Sequence, residues 1–543
     1  MSSDSYHEQS KEYEVKSIAA SDENRKIDRL ASSTTTKEVD SSYFSSSNFS
    51  FDEGQYEKYQ PPHSLLSYKM KWGMVFLLTM STFWSSVGSA IYYPALKQLE
   101  KKFNADANRM NITVVVYLLF QGIAPVVSGG LADIYGRSPI IVGGMLVFIV
   151  ASIGVACCNS YGVIVFLRCV QSFGISPAIA ISAGVVADFT TKDERGTFVG
   201  ANSGLALFGQ AFGSLIGAAL TSAWNWRAIF WFLAIAGGVS FVFVFTFLPE
   251  TKRTIAGNLS IKPKHLINVA PVFLLKPVRQ RFKWDNPDTD TLDPRKPKFD
   301  LTQALRICAQ WEILLSLFPA GMQFSMWSLM LSSIASNLSS PPYNYKLIIV
   351  GVCYLPSGIG GLLGSVMTGR MIDFYYKRQL NKYNKTREQG LIPGEVPFNF
   401  FKSRLVTALP QNFICVATFL LFGWSLDKGW KIPSVLVVSC ISSYCTMSTM
   451  ATSTTLLVDL YPGKSSTATS CFNFIRCSLS AMFMGCFAKM QDAMTIGGVF
   501  SFLCGVTFFC NFLLLIPMKY GMRWRQERDA KARAKQIGND NDE

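Results

Sequence analysis

From about Trp72 onward the chain alternates between unbroken apolar stretches of about 20 residues and short polar turns containing Gly, Pro or Asn. A helix of that length crosses a hydrocarbon core of roughly 30 Å, and here the apolar residues surround the helix instead of lining one face. Such stretches begin near Trp72, Ile112, Pro139, Gly162, Phe198 and Ala228, and again near Trp311, Leu347, Leu405, Ser434, Thr467 and Ile496. The pattern predicts an all-α integral membrane protein with twelve transmembrane helices in two pseudo-symmetric halves of six, residues 72–248 and 311–518. A polar segment, 249–310, joins the halves and cannot span. Tails 1–71 and 519–543 flank them; the first is rich in Ser, Thr, Glu and Lys, has no signal-peptide core, and is expected to be disordered and open to phosphorylation.

Composition supports lipid as the solvent: 49% of the 543 residues are hydrophobic and 16% charged, against about 25% charged in soluble domains. The net charge of +15 reads as topology, because the cations lie between spans and in the tails, with no aromatic-interleaved basic domain for nucleic acid. Three basic segments dominate: the central loop with Lys276, Arg279, Arg281, Lys283 and the run 293–298, the segment Tyr375 to Arg404, and the C-terminal tail. By the positive-inside bias both termini are cytoplasmic, although the loop from Lys97 to Arg109 carries four cations on the outer side. Thirteen Cys without a CxxC pair, and three His, suit apolar packing better than a metal site or disulfide scaffold. With no nucleophile elbow or phosphate loop either, no enzyme, metal or cofactor is expected. Asn111 and Asn337 head sequons on the outer side, candidates for glycosylation close to the membrane.

The halves repeat each other. Asp133 ends the second helix with Arg137 four residues on; Asp373 ends the eighth with Lys377 at the same offset. Asp188 closes the fourth helix and Asn202 follows fourteen residues later; Asp459 and Asn473 repeat that offset in the tenth and eleventh. Parallel repeats of this kind build carriers with a midplane site. A carboxylate shared between a cation and a helix N-terminus can hold two helix ends in one conformation and release them in another, so Asp133, Arg137, Asp188, Asp373, Lys377 and Asp459 are candidates for a conformational gate. Arg168 and Arg476 lie well inside helices four and eleven, and an arginine in lipid is costly enough that both are expected to face a central cavity. Gln171, Asn202, Gln210, Gln323 and Asn473 are candidates for the lining, together with aromatic residues that would suit amphipathic or cationic solutes. Gly204, Gly209, Gly213 and Gly217 allow close helix approach along the fifth helix.

The segment from Gly130 to Arg137 is similar to the signature between helices two and three of the major facilitator superfamily. Leu167-Arg168-Cys169-Val170-Gln171-Ser172-Phe173-Gly174 and Leu248-Pro249-Glu250-Thr251 resemble its fourth-helix motif and its exit from helix six. Tyr354-Leu355-Pro356-Ser357-Gly358, the segment Leu457 to Pro462 and Asn473-Phe474-Ile475-Arg476-Cys477 resemble the fungal twelve-span drug:proton antiporters, the quinidine-resistance and dityrosine-exporter branch. The resemblance implies alternating access, export of small amphipathic or cationic compounds from the cell across the plasma membrane, a proton gradient as driving force, and a monomer. Gln210 stands where the exporters' Gly-rich motif has proline, and no carboxylate lies near the middle of a core helix. Import or facilitated flux of a polyamine, organic acid or other nutrient therefore stays open, as does a non-transporting membrane sensor or scaffold.

Overall fold

The computed structural model describes residues 64–104, 106–282, 284, 302–389, 398–462 and 464–542. Of the tail expected to be disordered, 1–71, residues 1–63 lie outside the described residues, as do the run 293–298 and Lys283 in the central loop, whereas 68–71 are already helical and open the first span. Among the described residues there is helix and no strand. The first half contains α1 (Tyr68–Ala90), α2 (Ala107–Tyr135), α3 (Arg137–Cys157), α4 (Tyr161–Phe189), α5 (Arg195–Ala223) and α6 (Trp226–Phe247). The second contains α7 (Trp311–Leu338), α8 (Leu347–Glu388), α9 (Ala408–Asp427) and α10 (Ile432–Leu460), then a continuous helical run Ser465–Phe512.

That run has 48 residues and would be about 72 Å long if straight, more than twice the hydrocarbon thickness. It breaks at Met494 and Thr495, whose φ/ψ of −139°/16° and 61°/173° are not helical. The result is α11 (465–493) and α12 (496–512), which completes twelve spans. Prolines punctuate two others: Pro177 restarts α4 after Ser176, and Pro356 restarts α8 after Cys353 and Tyr354.

Burial sorts the helices. In α3, α6, α9 and α12 one side stays exposed, with Val150, Ile235, Leu421 and Phe509 among the uncovered side chains. Those apolar faces suit lipid. α7 is buried along most of its length. The halves meet along two helix pairs, α2 against α11 and α5 against α8. The glycines of α5 divide between partners: Gly204 lies against Ser365 of α8, while Gly209, Gly213 and Gly217 lie against Phe83, Val87 and Ile91 of α1. The approach is so close that a Cβ at Gly217 would stand 2.3 Å from the Ile91 carbonyl oxygen.

Two regions depart from the sequence expectation. The basic segment Tyr375 to Arg404, read as a loop, is helical through Glu388 and again over Phe400–Leu405. The central connector is not a bare linker: 253–256, 266–268, 271–274 and 276–281 are short helical turns folded around Phe273, Phe282 and Trp284. After α12 the chain continues as α13 (Leu515–Asp542), pinned by Arg528 to Glu312 of α7 and by Arg525 to the Leu460 carbonyl.

Candidate functional site

At the membrane face where α1 begins and α12 ends, two charged clusters close the gap between the halves. Lys71 of α1 pairs with Glu194 in the α4–α5 turn on that face, which is called the terminal face below. Gly136 is the one residue between α2 and α3, and its φ of 111° lies in the region glycine alone enters freely. The tight turn sets Asp133 and Arg137 side by side. Arg137 Nε lies 3.0 Å from Asp188 Oδ2 and its Nη2 3.8 Å from Asp133 Oδ1. A Cβ at Gly184 would come within 1.8 Å of Arg137 Nη1, so the guanidinium lies on bare α4 backbone. Lys252 Nζ reaches Asp133 Oδ1 at 3.1 Å. Across to the other half, the Thr467 hydroxyl donates to Asp133 Oδ2 at 2.7 Å and Arg137 donates to Ser465 Oγ at 3.2 Å. Glu250 closes the turn by accepting the Ser138 N–H at the start of α3 at 3.1 Å. Burial pushes its carboxyl up, against the backbone N–H groups that pull it down.

The second cluster repeats the plan between α8 and α5. Asp373 accepts the Gly196 N–H at 2.8 Å, the Thr197 N–H at 2.6 Å and the Thr197 hydroxyl at 2.7 Å. It thereby binds the positive end of α5 from the opposite half. Asp459 is held by two arginines: Arg404 at 2.7 Å from its own half and Arg195 at 2.6 Å from the other. Arg404 also donates to the Lys192 carbonyl at 2.8 Å and stacks on Tyr376, 4.2 Å from the ring centroid. Gly129 and Gly369, each four residues before its aspartate, touch the facing backbone: a Cβ would stand 3.2 Å and 2.4 Å from the Ser466 and Gly196 carbonyl oxygens.

Lys377 does not belong to this cluster. It is exposed and faces the equally exposed Asp193 at 3.7 Å. Gly136 ends α2 and turns the chain, whereas α8 runs on as helix past Asp373 to Glu388, carrying Lys377 away from the half-to-half contact. The cation equivalent to Arg137 is Arg404, just before α9 as Arg137 begins α3. Arg404, Arg195 and Lys252 were missed by sequence reasoning, and Glu250 was noted only as part of the exit from helix six. A cation at the head of the third helix of each half was the signal that could have found the first.

At mid-depth the candidates separate. Asn202, Asn473 and Arg476 line one central cavity of about 40 Å³ with Thr82, Ser86 and Thr469. Asn202 donates to Ser182 Oγ at 2.9 Å and Asn473 to the Thr469 carbonyl at 3.3 Å. The Arg476 guanidinium lies over Phe324, 4.7 Å from the centroid, and among the described residues it makes no ion pair. Among the described residues no Asp or Glu lines this cavity. Arg168 was expected to face it and does not. It is sandwiched between Tyr92 and Tyr117, at 4.5 and 4.2 Å, and donates to the Gly88 carbonyl at 2.9 Å and to Gln171 at 2.8 Å. Gln171 donates onward to Ser152 at 2.8 Å. Two aromatic faces and two acceptors hold this charge inside the first half. Gln210 is spent on Ser89 of α1 at 3.3 Å, and Gln323 is buried in α7 outside the cavity.

Toward the face away from the termini a larger cavity of about 360 Å³ lies between the halves, walled by Tyr93, Glu100, Asn111, Asn337, Phe487 and Gln491, while α5 and α8 stay in contact beside it, where a Cβ at Gly351 would stand 2.8 Å from Ala218. Both sequon asparagines stand in that wall. Asn337 donates back to the Ser333 carbonyl at 2.9 Å.

Beside this geometry, with two charged clusters at one face and a cavity between the halves toward the other, stand the sequence comparisons. Residues 78–485 match the Major Facilitator Superfamily profile. The chain is 64% identical over 504 residues to "Probable transporter AQR1" of Saccharomyces cerevisiae, covering 92% of this chain and 86% of that one. It is 62% identical over 522 residues to "Multidrug transporter AQR1" of Candida glabrata, covering 95% and 88%. Among solved structures, the proton:xylose symporter XylE superposes with a TM-score of 0.57 at 14% identity, covering 83% of this chain and 96% of that one, a likeness of fold alone. The twelve-span chain therefore belongs to the major facilitator superfamily.

Proposed function

We propose that the protein exports small amphipathic organic compounds from the cytoplasm across the plasma membrane by alternating access, as a monomer driven by proton antiport. The observation that carries this reading is a terminal face held together by two charged clusters, with a cavity between the halves toward the opposite face. Such an arrangement suits a rocking cycle in which the clusters break and re-form. Both termini are taken as cytoplasmic, in keeping with the basic connector and tail, which places the charged clusters on the cytoplasmic side. The printed names of the AQR1 relatives, a transporter and a multidrug transporter, favour the same class of cargo.

Arg476 favours a second reading of the cargo. A guanidinium that makes no ion pair among the described residues, beside Asn473 in a cavity whose described lining holds no carboxylate, suits an acidic amphipath better than a cation. Both readings are tested in sealed inside-out vesicles holding the native chain, with an imposed pH gradient and either a fluorescent amphipathic cation or a radiolabelled monocarboxylate. Gradient-dependent uptake that Asp133→Asn abolishes supports proton-driven export, and the probe that accumulates decides the cargo. Equilibration that ignores the gradient would overturn antiport in favour of a facilitator, and no flux of either probe would favour a sensor.

A further inference from the structure

Between Glu250 and Asp285 the connector holds eight Lys or Arg residues and no acid. Its described part, through 282 and 284, is folded. Phe273 stacks on Trp284 with centroids 5.1 Å apart and on Phe282 at 4.9 Å, and Trp284 donates to the Leu259 carbonyl at 3.1 Å. A folded segment should direct its large aliphatic side chains inward, yet Leu266 and Ile267 are 79% exposed, and Leu274 and Leu275 are 67% and 58% exposed. The turn Leu266–Asn268 packs on α3 and the turn Pro271–Leu274 on α6, two helices whose outer faces are bare and apolar. The exposed aliphatics thus continue the lipid-facing surface at its terminal-face edge. Lys262, Lys264, Lys276, Arg279 and Arg281 stand exposed beside them. Apolar side chains flanked by cations at a leaflet boundary are the pattern of an in-plane membrane anchor.

We propose that residues 262–281 dock on the leaflet of the terminal face, with the four aliphatics among the acyl chains and the cations on anionic lipid headgroups, and that docking favours the latched state. The link to the latch is covalent and short. The same connector supplies Glu250, which caps α3, and Lys252, which pairs with Asp133; Asn268 of the docked turn is buried against Gly136.

The test is hydrogen exchange of the full-length protein in nanodiscs of phosphatidylcholine alone or with about one-third phosphatidylserine. Amides of 262–281 should exchange about tenfold more slowly with phosphatidylserine, and amides of 195–200 at the α5 latch should slow with them. Replacing the five cations by Gln should remove the response to phosphatidylserine. A Leu266→Ser, Ile267→Ser, Leu274→Ser, Leu275→Ser variant should lose protection in both lipids, while unchanged exchange in α7 reports that the fold persists. Equal exchange of 262–281 in both lipids and in detergent would overturn the proposal and leave this face to a protein partner. Protection of 262–281 without any change at 195–200 would overturn its link to the latch.

Discussion

The two terminal-face clusters grow from one repeated motif, yet they join the halves by different chemistry. Between α2 and α11 the charges are settled within the first half: Arg137 with Asp188, Lys252 with Asp133. Among the described contacts there, those that cross to the second half run through hydroxyls: Thr467 to Asp133, Arg137 to Ser465 and Thr469 to the Ala180 carbonyl. Between α5 and α8 the crossing contacts carry charge. Arg195 pairs with Asp459 across the gap, and Asp373 takes two backbone N–H groups from the opposite half. Removing one partner of a buried ion pair costs more than removing a neutral hydroxyl from a hydrogen bond. The α5–α8 cluster is thus the firmer hold, and the α2–α11 cluster, wired to the connector through Lys252 and Glu250, is the one placed for adjustment.

Asp459→Asn attacks the firmer cluster and should have the largest effect. It strips the buried Arg404 and Arg195 of their shared carboxylate, and removing one partner of a buried ion pair costs about 3–5 kcal/mol. Unfolding in mild detergent should shift by that amount, with faster exchange over 195–200 in what remains folded. A shift below about 1 kcal/mol would place the charge of this cluster outside the energetics of the closed face.

Thr467→Val is the matching test on the softer cluster. It removes one hydroxyl donor from a buried carboxylate that keeps Lys252, and bonds to charged groups contribute about 1.5–3 kcal/mol. Transport should persist at a changed rate, and α11 amides near 467 should exchange faster while 195–200 stays protected. Equal exposure of both sites would show that the clusters open as one unit.

Glu250 gives the comparison a pH axis. Burial holds its carboxyl above the ordinary value, so the folded protein binds this proton more tightly than the unfolded chain does. Its contribution to stability is then fully present below the unfolded value and is lost as pH rises through the folded one. Unfolding measured across the acid range should show stability falling as pH rises, and Glu250→Gln should flatten that dependence. A slope of opposite sign, cancelled by the same substitution, would mean that the N–H donors at Ser138 and Lys252 outweigh burial.

Spans, halves and the aspartates of the latches were legible in the sequence because each leaves a one-dimensional trace: apolar length, a fixed offset, a repeated carboxylate. The cations were less legible. Arg137 follows its aspartate by four residues, but Arg404 is 31 positions after Asp373, and only the rule that both head the third helix of their half connects them. Arg168 shows a different limit. Depth along a helix shows that a charge must be satisfied; which face satisfies it depends on Tyr92 and Tyr117, residues of other helices whose rings close around the guanidinium. The folded connector was hidden because its aromatic core is three residues in a run that reads as polar and basic.

The smallest effect belongs to Lys377→Ala, and it tests the assignment of the second cluster's cation. By offset alone Lys377 is the counterpart of Arg137, and its loss should then resemble the loss of a buried partner. By structure it is a solvated side chain 3.7 Å from an exposed carboxylate, a pair of a kind that contributes about 0–1 kcal/mol. Arg404→Ala, in contrast, uncovers Asp459 and the face of Tyr376, and should cost several-fold more. Measured side by side by thermal unfolding and by vesicle uptake, the lysine variant should stay within experimental scatter of the native chain while the arginine variant loses both. If the lysine variant fell as far as the arginine variant, α8 would have to unwind beyond Asp373 during the cycle, bringing Lys377 to the carboxylate in a state other than the one described.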